Sequence, residues 1–301
     1  MATFASIFLN NILPAFLIIG AGVLMDRLLH IEHKSLSRMA LYVLSPCLLF
    51  SLIINSTVDP ARFAQMLLFS LVTTLAMIGI ALLVGWALRW PSRKVDGLVL
   101  ATAFVNSGNF GLSVILFSYG EEGLALASAF FVISSLAAHT LGAFFAARGD
   151  GGMRVALGRM ARLPGMYAFL LAFGLRLLGV RVPDMLLEPI TLVGRAAVPI
   201  LLLLLGLQLS QTHVGKHYKD VALGVFLRLV VGAGSAVALA PLVGLQGLAR
   251  QVGIVEAATP TAVSSSLMAI EFGADPEYVT SVIFFSTLLS AVTLTILIGL
   301  L

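Results

Sequence analysis

Charge is scarce in this chain. Asp, Glu, Lys and Arg together make up 11% of its 301 residues, where a soluble domain carries roughly a quarter. That shortage excludes an ordinary water-soluble fold. Cysteine is almost absent. Cys47 alone closes no internal disulfide, has no companion for a metal site and lies in an apolar run, so it reads as packing. The signatures of soluble enzymes are missing too. Without a Gly-Lys-Ser/Thr phosphate loop, ATP-driven pumping by this chain is not expected. Neither His-Glu-x-x-His nor Gly-x-Ser-x-Gly occurs, and no aspartate pair falls inside an apolar segment. The chain therefore does not read as an enzyme, and no cofactor or metal is expected. Its 18 basic residues exceed the 14 acidic ones but are spread over short connections, so nucleic acid is not an expected partner.

What is abundant is apolar sequence: 59% of the residues, with a mean hydropathy of +1.06. A span needs about 20 mostly apolar residues. Ten are expected, near Phe4–Leu28, Leu36–Ile54, Phe63–Trp90, Leu98–Phe117, Leu124–Ala147, Pro164–Leu178, Leu186–Leu209, Val221–Leu242, Val252–Ile270 and Val279–Leu300. The sixth is short. Met1–Asn11 lacks a basic n-region, so a cleavable signal is not expected. Twelve Lys and Arg fall in alternate connections beginning after the first span, and four in the others. By the positive-inside rule the first set is cytoplasmic and both termini lie outside. The longest hydrophilic piece, 148–163, holds Arg148, Arg154, Arg159 and Arg162. It reads as a cytoplasmic linker between a first half, 1–147, and a second, 164–301.

The halves share a pattern. Pro46 and Pro199 stand 153 residues apart, as do Tyr119-Gly120 and Phe272-Gly273. Five spans per repeat is an odd number, which forces the halves into opposite orientation: inverted repeats. At that offset Asn106 falls on Thr259 and Ser107 on Pro260. Asn106, Ser107, Gly108, Asn109 and Gly111 interrupt the fourth span. Thr259, Pro260, Thr261 and Ser264 interrupt the ninth. Irregular backbone in a bilayer persists only where protein buries it or a cavity is lined by it, and paired interruptions point to a transporter's substrate site. Broken helix starts favour an anion, with the asparagines and hydroxyls supplying further hydrogen bonds. Glu256, one turn before Pro260, is a candidate coupling group, with pairing to Arg228 as its alternative. Arg228 either contacts a substrate carboxylate or snorkels to an interface, the latter favoured. Pro46 and Pro199 mark helix distortions.

Val105-Asn-Ser-Gly-Asn-Phe-Gly-Leu112, Tyr119-Gly-Glu-Glu-Gly-Leu124, Ala257-Ala-Thr-Pro-Thr-Ala-Val263 and Phe285-Ser-Thr-Leu-Leu-Ser290 together resemble the motifs of the auxin efflux carrier family. The resemblance covers the whole chain. It implies an all-α polytopic membrane protein of ten helices in two inverted five-helix repeats, similar to bile-acid and sodium–proton transporters. Spans 1, 2, 6 and 7 would form a dimerising scaffold. Spans 3–5 and 8–10 would form a moving unit, with broken spans 4 and 9 crossing at the substrate. Alternating access, a homodimer in a bacterial inner membrane and a small organic anion such as malate or malonate are implied as well. Proton or sodium coupling would drive it. Rival readings are a sodium-coupled symporter of bile-acid type and a non-transporting membrane sensor. Ser113 stands where the family often has proline, leaving Gly108 and Gly111 to supply the first break.

Overall fold

The computed structural model describes residues 4–29, 33–146, 164–212, 218–272 and 274–301. The expected linker at 148–163 lies outside the described residues. Among the described residues, regular structure is helical throughout. In chain order the segments are α1 (Phe4–Leu29), α2 (Ser35–Asn55), α3 (Pro60–Ala87), α4 (Ser92–Ala103), α5 (Ser107–Gly142), α6 (Pro164–Leu177), α7 (Asp184–Ser210), α8 (Tyr218–Leu239), α9 (Gly247–Ala257), α10 (Ser264–Phe272) and α11 (Pro276–Leu300). Seven of these, α1, α2, α3, α5, α7, α8 and α11, are long and apolar enough to cross a membrane by length and composition. α6 is apolar but has 14 residues, short of the roughly 20 that a bilayer asks for. α4, α9 and α10 have 12, 11 and 9 residues. The fourth apolar stretch is cut between α4 and the start of α5, and the ninth between α9 and α10.

Local chemistry explains most boundaries. Asp59 caps α3, its Oδ1 accepting the Ala61 N–H at 2.9 Å, with Pro60 in the first helical position. Asp275 and Pro276 repeat that arrangement at α11, where Asp275 Oδ1 accepts the Tyr278 N–H. Both pairs satisfy amides that have no acceptor within the helix. α5 is interrupted by a kink at Gly120, whose φ of 66° and ψ of −162° suit glycine alone. The two expected prolines each sit beside a distortion. A wide π turn, Ala40–Leu44, precedes Pro46, and α7 bends at Ala196 just before Pro199. Proline cannot donate to the carbonyl one turn back, so the helix opens there.

Packing follows small residues. α1 lies against α7, where Gly22 faces the Leu203 carbonyl and Gly206 faces the Ile19 carbonyl; a Cβ on either would overlap that oxygen. α2 packs on α6 and α7, while α3 packs on α4, α5 and α8. α9 lies against α5, and α11 against α4, α8 and α10. Between membrane helices the attraction comes from close contact and hydrogen bonds rather than from water release, which is why glycines mark the seams. Polar anchors hold the ends. Arg176, at the end of α6, donates to the Ile53 carbonyl in the last turn of α2 and to the Val58 carbonyl just beyond it. Lys94 pairs with Asp220 at 2.6 Å and covers the Trp90 ring, tying the starts of α4 and α8.

The α1–α7 seam yields a stability test. Gly206→Ala should lower the thermal midpoint of the protein in detergent, since the added methyl costs about 1–3 kcal/mol of overpacking. An unchanged midpoint would mean that the two helices do not meet at Gly22 and Gly206.

Candidate functional site

The site is built where two helices stop. In α4 the regular ladder ends at Ala103 and resumes at Ser107; between α9 and α10 it is missing from Ala258 to Val263. The two gaps lie side by side. Val105 and Thr261 form an isolated antiparallel bridge. Asn106 N–H donates to the Pro260 carbonyl at 2.7 Å, and Ala262 N–H donates to the Phe104 carbonyl at 2.9 Å. The break in the first stretch thus lies at Phe104–Asn106, ahead of Gly108 and Gly111, to which the sequence assigned it. Those glycines serve close packing instead. Gly108 faces the Phe131 ring and Gly111 faces the Glu256 carboxyl. Ser113 is helical and buried, its hydroxyl directed at the Asn109 carbonyl at 3.4 Å.

Backbone groups released by the breaks can be followed one at a time, because each buried amide and carbonyl needs a partner. In an uninterrupted helix the Ala101 carbonyl would take the amide of residue 105; here it accepts the Thr261 hydroxyl at 2.5 Å. The Thr102 carbonyl would take the Asn106 amide, which has gone to Pro260. It accepts Arg228 Nη1 at 2.7 Å instead. The Glu256 carbonyl faces Pro260, which has no N–H, and accepts the Thr259 hydroxyl at 2.7 Å and the Thr259 amide at 3.2 Å. The Ala257 carbonyl would take the Thr261 amide. That amide donates to Ser286 Oγ at 3.2 Å, and Arg228 Nη2 donates to Ala257 in its place.

Arg228 therefore does not snorkel. It is 1% exposed, on a π turn, Leu227–Val231, within α8, and its guanidinium spans the carboxyl ends of both short helices. Nor does it pair with Glu256. Both Glu256 carboxyl oxygens are buried and have no hydrogen-bond partner among the described residues. The carboxyl lies against Gly111, at the first turn of α5. Asn106 Nδ2 and Ser265 Oγ are likewise buried and unpartnered.

The remaining expected residues divide by what they touch. Ser107 shares a 2.5 Å hydroxyl contact with Ser134. The Thr259 and Thr261 hydroxyls are taken up by the backbone, as above. Asn109 and Ser264 are half-buried at the starts of α5 and α10. Residues that the sequence reading missed are Ser134, Ser286 and Thr102. A serine in an apolar span is common, and nothing in its local pattern says which carbonyl or amide it will meet. A cavity of about 520 Å³ lies between α2 and α7 on one side and α5 on the other. Ser51, Asn55, Glu121, Glu122, Thr191 and Arg195 are among the residues on its walls.

A family model described as membrane transport protein matches residues 7–298. Among similar proteins are two named uncharacterized transporters. One, from Methanocaldococcus jannaschii, is 29% identical over 86% of this chain and 87% of its own. The other, from Methanothermobacter thermautotrophicus, is 29% identical over 87% of each chain. A Rhizobium meliloti protein named "Putative malonate transporter" is 26% identical over 94% of this chain and 92% of its own.

The carbonyl accounting is open to test. Thr261→Val keeps the shape but leaves the Ala101 carbonyl without its donor. It should cost about 1–3 kcal/mol, read as a lower thermal midpoint in detergent. A midpoint equal to wild type would mean that the hydroxyl does not close the first break.

Proposed function

Because the chain belongs to the membrane transport protein family of auxin efflux carrier type, we propose that it is a secondary carrier for a small organic anion such as a mono- or dicarboxylate, working by alternating access. The observation that carries this reading is the meeting of two helix breaks around the Asn106, Glu256 and Ser265 side chains, which hold buried polar atoms with no partner among the described residues. A break leaves amides at a helix start without intrahelical acceptors, and they attract negative charge. Asn106, Ser107, Gly108 and Asn109 at the start of α5, with Thr259, Pro260, Thr261 and Ser264 opposite, are the proposed substrate site. The malonate named for the Rhizobium relative supports a carboxylate as cargo.

The architecture we propose is ten crossings in two inverted five-helix repeats. The 153-residue offset supports it, carrying Ala103, the last residue of α4, to Glu256, one residue before the end of α9. α1, α2, α6 and α7 form a dimerising scaffold, and the other helices form the unit that moves. The cavity between α2, α7 and α5 is then the outward approach to the site, in an inner membrane with both termini outside. Glu256 is the coupling group. Its burial without an ion partner favours a proton as the ion it takes up. Sodium-coupled bile-acid-type symport and a non-transporting sensor are the rival readings.

Two substitutions test the site in proteoliposomes supplied with malonate, malate and related acids. Asn109→Ala should abolish flux while the protein still runs as a folded species in detergent; wild-type flux would remove Asn109 from the site. Glu256 moves a proton only by alternating between charged and neutral forms. Wild-type uptake should therefore rise as the pH on the entry side falls, and Glu256→Gln should flatten that profile. A pH response retained in Glu256→Gln would assign coupling elsewhere.

A further inference from the structure

Arg228 stands out from the candidate site because its charge is spent on backbone, not on a carboxylate. Nη1 donates to Thr102 and Nη2 to Ala257. These carbonyls lie at the carboxyl ends of α4 and α9, where the ladder has been cut. Each helix end of this kind carries about half a negative charge. Two of them facing one point sum to about one, and a single guanidinium neutralises the pair. The room for it is also built. Gly232, one turn along α8, has no side chain, and a Cβ there would fall 2.5 Å from Nη2. The pattern is asymmetric between the halves. At the 153-residue offset the counterpart of Arg228 is Leu75 on α3, an apolar residue 49% exposed, so one cation serves both breaks.

In broken-helix carriers, unwound carbonyls and half-helix carboxyl ends are the groups that coordinate a coupling sodium ion. Here the corresponding carbonyls are already occupied by a side chain. We infer that Arg228 is a tethered cation standing in for a coupling alkali ion, so that the two breaks are held together without sodium and the transport cycle does not use it. This rests on the carrier reading for its second half only; the tethered-cation role concerns the folded protein by itself. Arg228 is a positioning residue, acting on the half-helices and not on the cargo. Because the guanidinium charge is matched by the helix ends, it leaves Glu256 uncompensated and free to respond to protons.

The experiment compares wild type, Arg228→Ala and Arg228→Lys, purified in detergent, by thermal unfolding in chloride salts of choline, potassium, sodium and methylguanidinium, the last at low millimolar concentration. Wild type should melt at the same temperature in all four. Arg228→Ala should melt lower in choline and recover with methylguanidinium, and in part with sodium, because either cation can enter the emptied place. Arg228→Lys should lie between the two. A lowered midpoint that no cation restores would overturn the tethered-cation role, since lost packing alone gives that result. If Arg228→Ala does not fold, Arg228→Gln, which keeps more of the side chain without its charge, carries the same comparison. Wild-type flux of a transported carboxylate in proteoliposomes should be equal in sodium and choline; flux that requires sodium would overturn the second half. Absence of flux for every acid tried would count against the carrier reading and leave the melting result standing.

Discussion

One constraint runs through this structure: a peptide group removed from a helix inside an apolar medium must find another partner. The chain interrupts two helices and sets the interruptions against each other. Asn106 serves Pro260, and Phe104 serves Ala262. What the reciprocal pairing leaves over is met by two threonine hydroxyls, one serine and one arginine. Neither break could persist alone. Each supplies the acceptors or donors that the other lacks, so the pair forms as a unit.

The electrostatics follow from the same geometry. Two helix carboxyl ends converge on Arg228, while the amide start of α5 lies beside the Glu256 carboxyl and Gly111. The carboxyl ends of α4 and α9 and the amide start of α5 thus face two different points, one rich in carbonyls and one rich in amides. The carbonyl point is filled by a side chain. The amide point holds Asn106 and Glu256, whose buried side-chain Nδ2 and carboxyl oxygens have no partner among the described residues. Such groups are costly in a bilayer, and that cost is the ground for the substrate and coupling roles proposed for this place.

Much of this was legible in the chain. Hydropathy located the long helices, because a bilayer imposes a length that soluble folds do not. Pro46, Pro199 and Pro260 announced distortions through the missing N–H. The asparagine-glycine run at 106–111 and Thr259–Ser264 were visible as interruptions, and the constant offset joined them. Three details were not legible. The first break sits at Phe104–Asn106 rather than at the glycines, since what cuts the ladder is the pull of the Pro260 carbonyl on the Asn106 amide. Nor was it legible that Ser286 and Thr102 would meet at the breaks, since a serine or threonine in an apolar run looks like any other. Arg228 read as a snorkelling residue, because a lone arginine in an apolar run gives no sign of two orphan carbonyls waiting more than a hundred residues before it and about thirty after it in the chain.

The sequence by itself determined that this is a helical membrane protein with two interrupted segments in corresponding places, for composition, length and proline or glycine position act locally and can be read locally. Only the tertiary structure decided which freed backbone group meets which partner. Those choices depend on distances between Thr102, Arg228, Ala257, Thr261 and Ser286, residues brought together by packing and unrelated by any spacing along the chain.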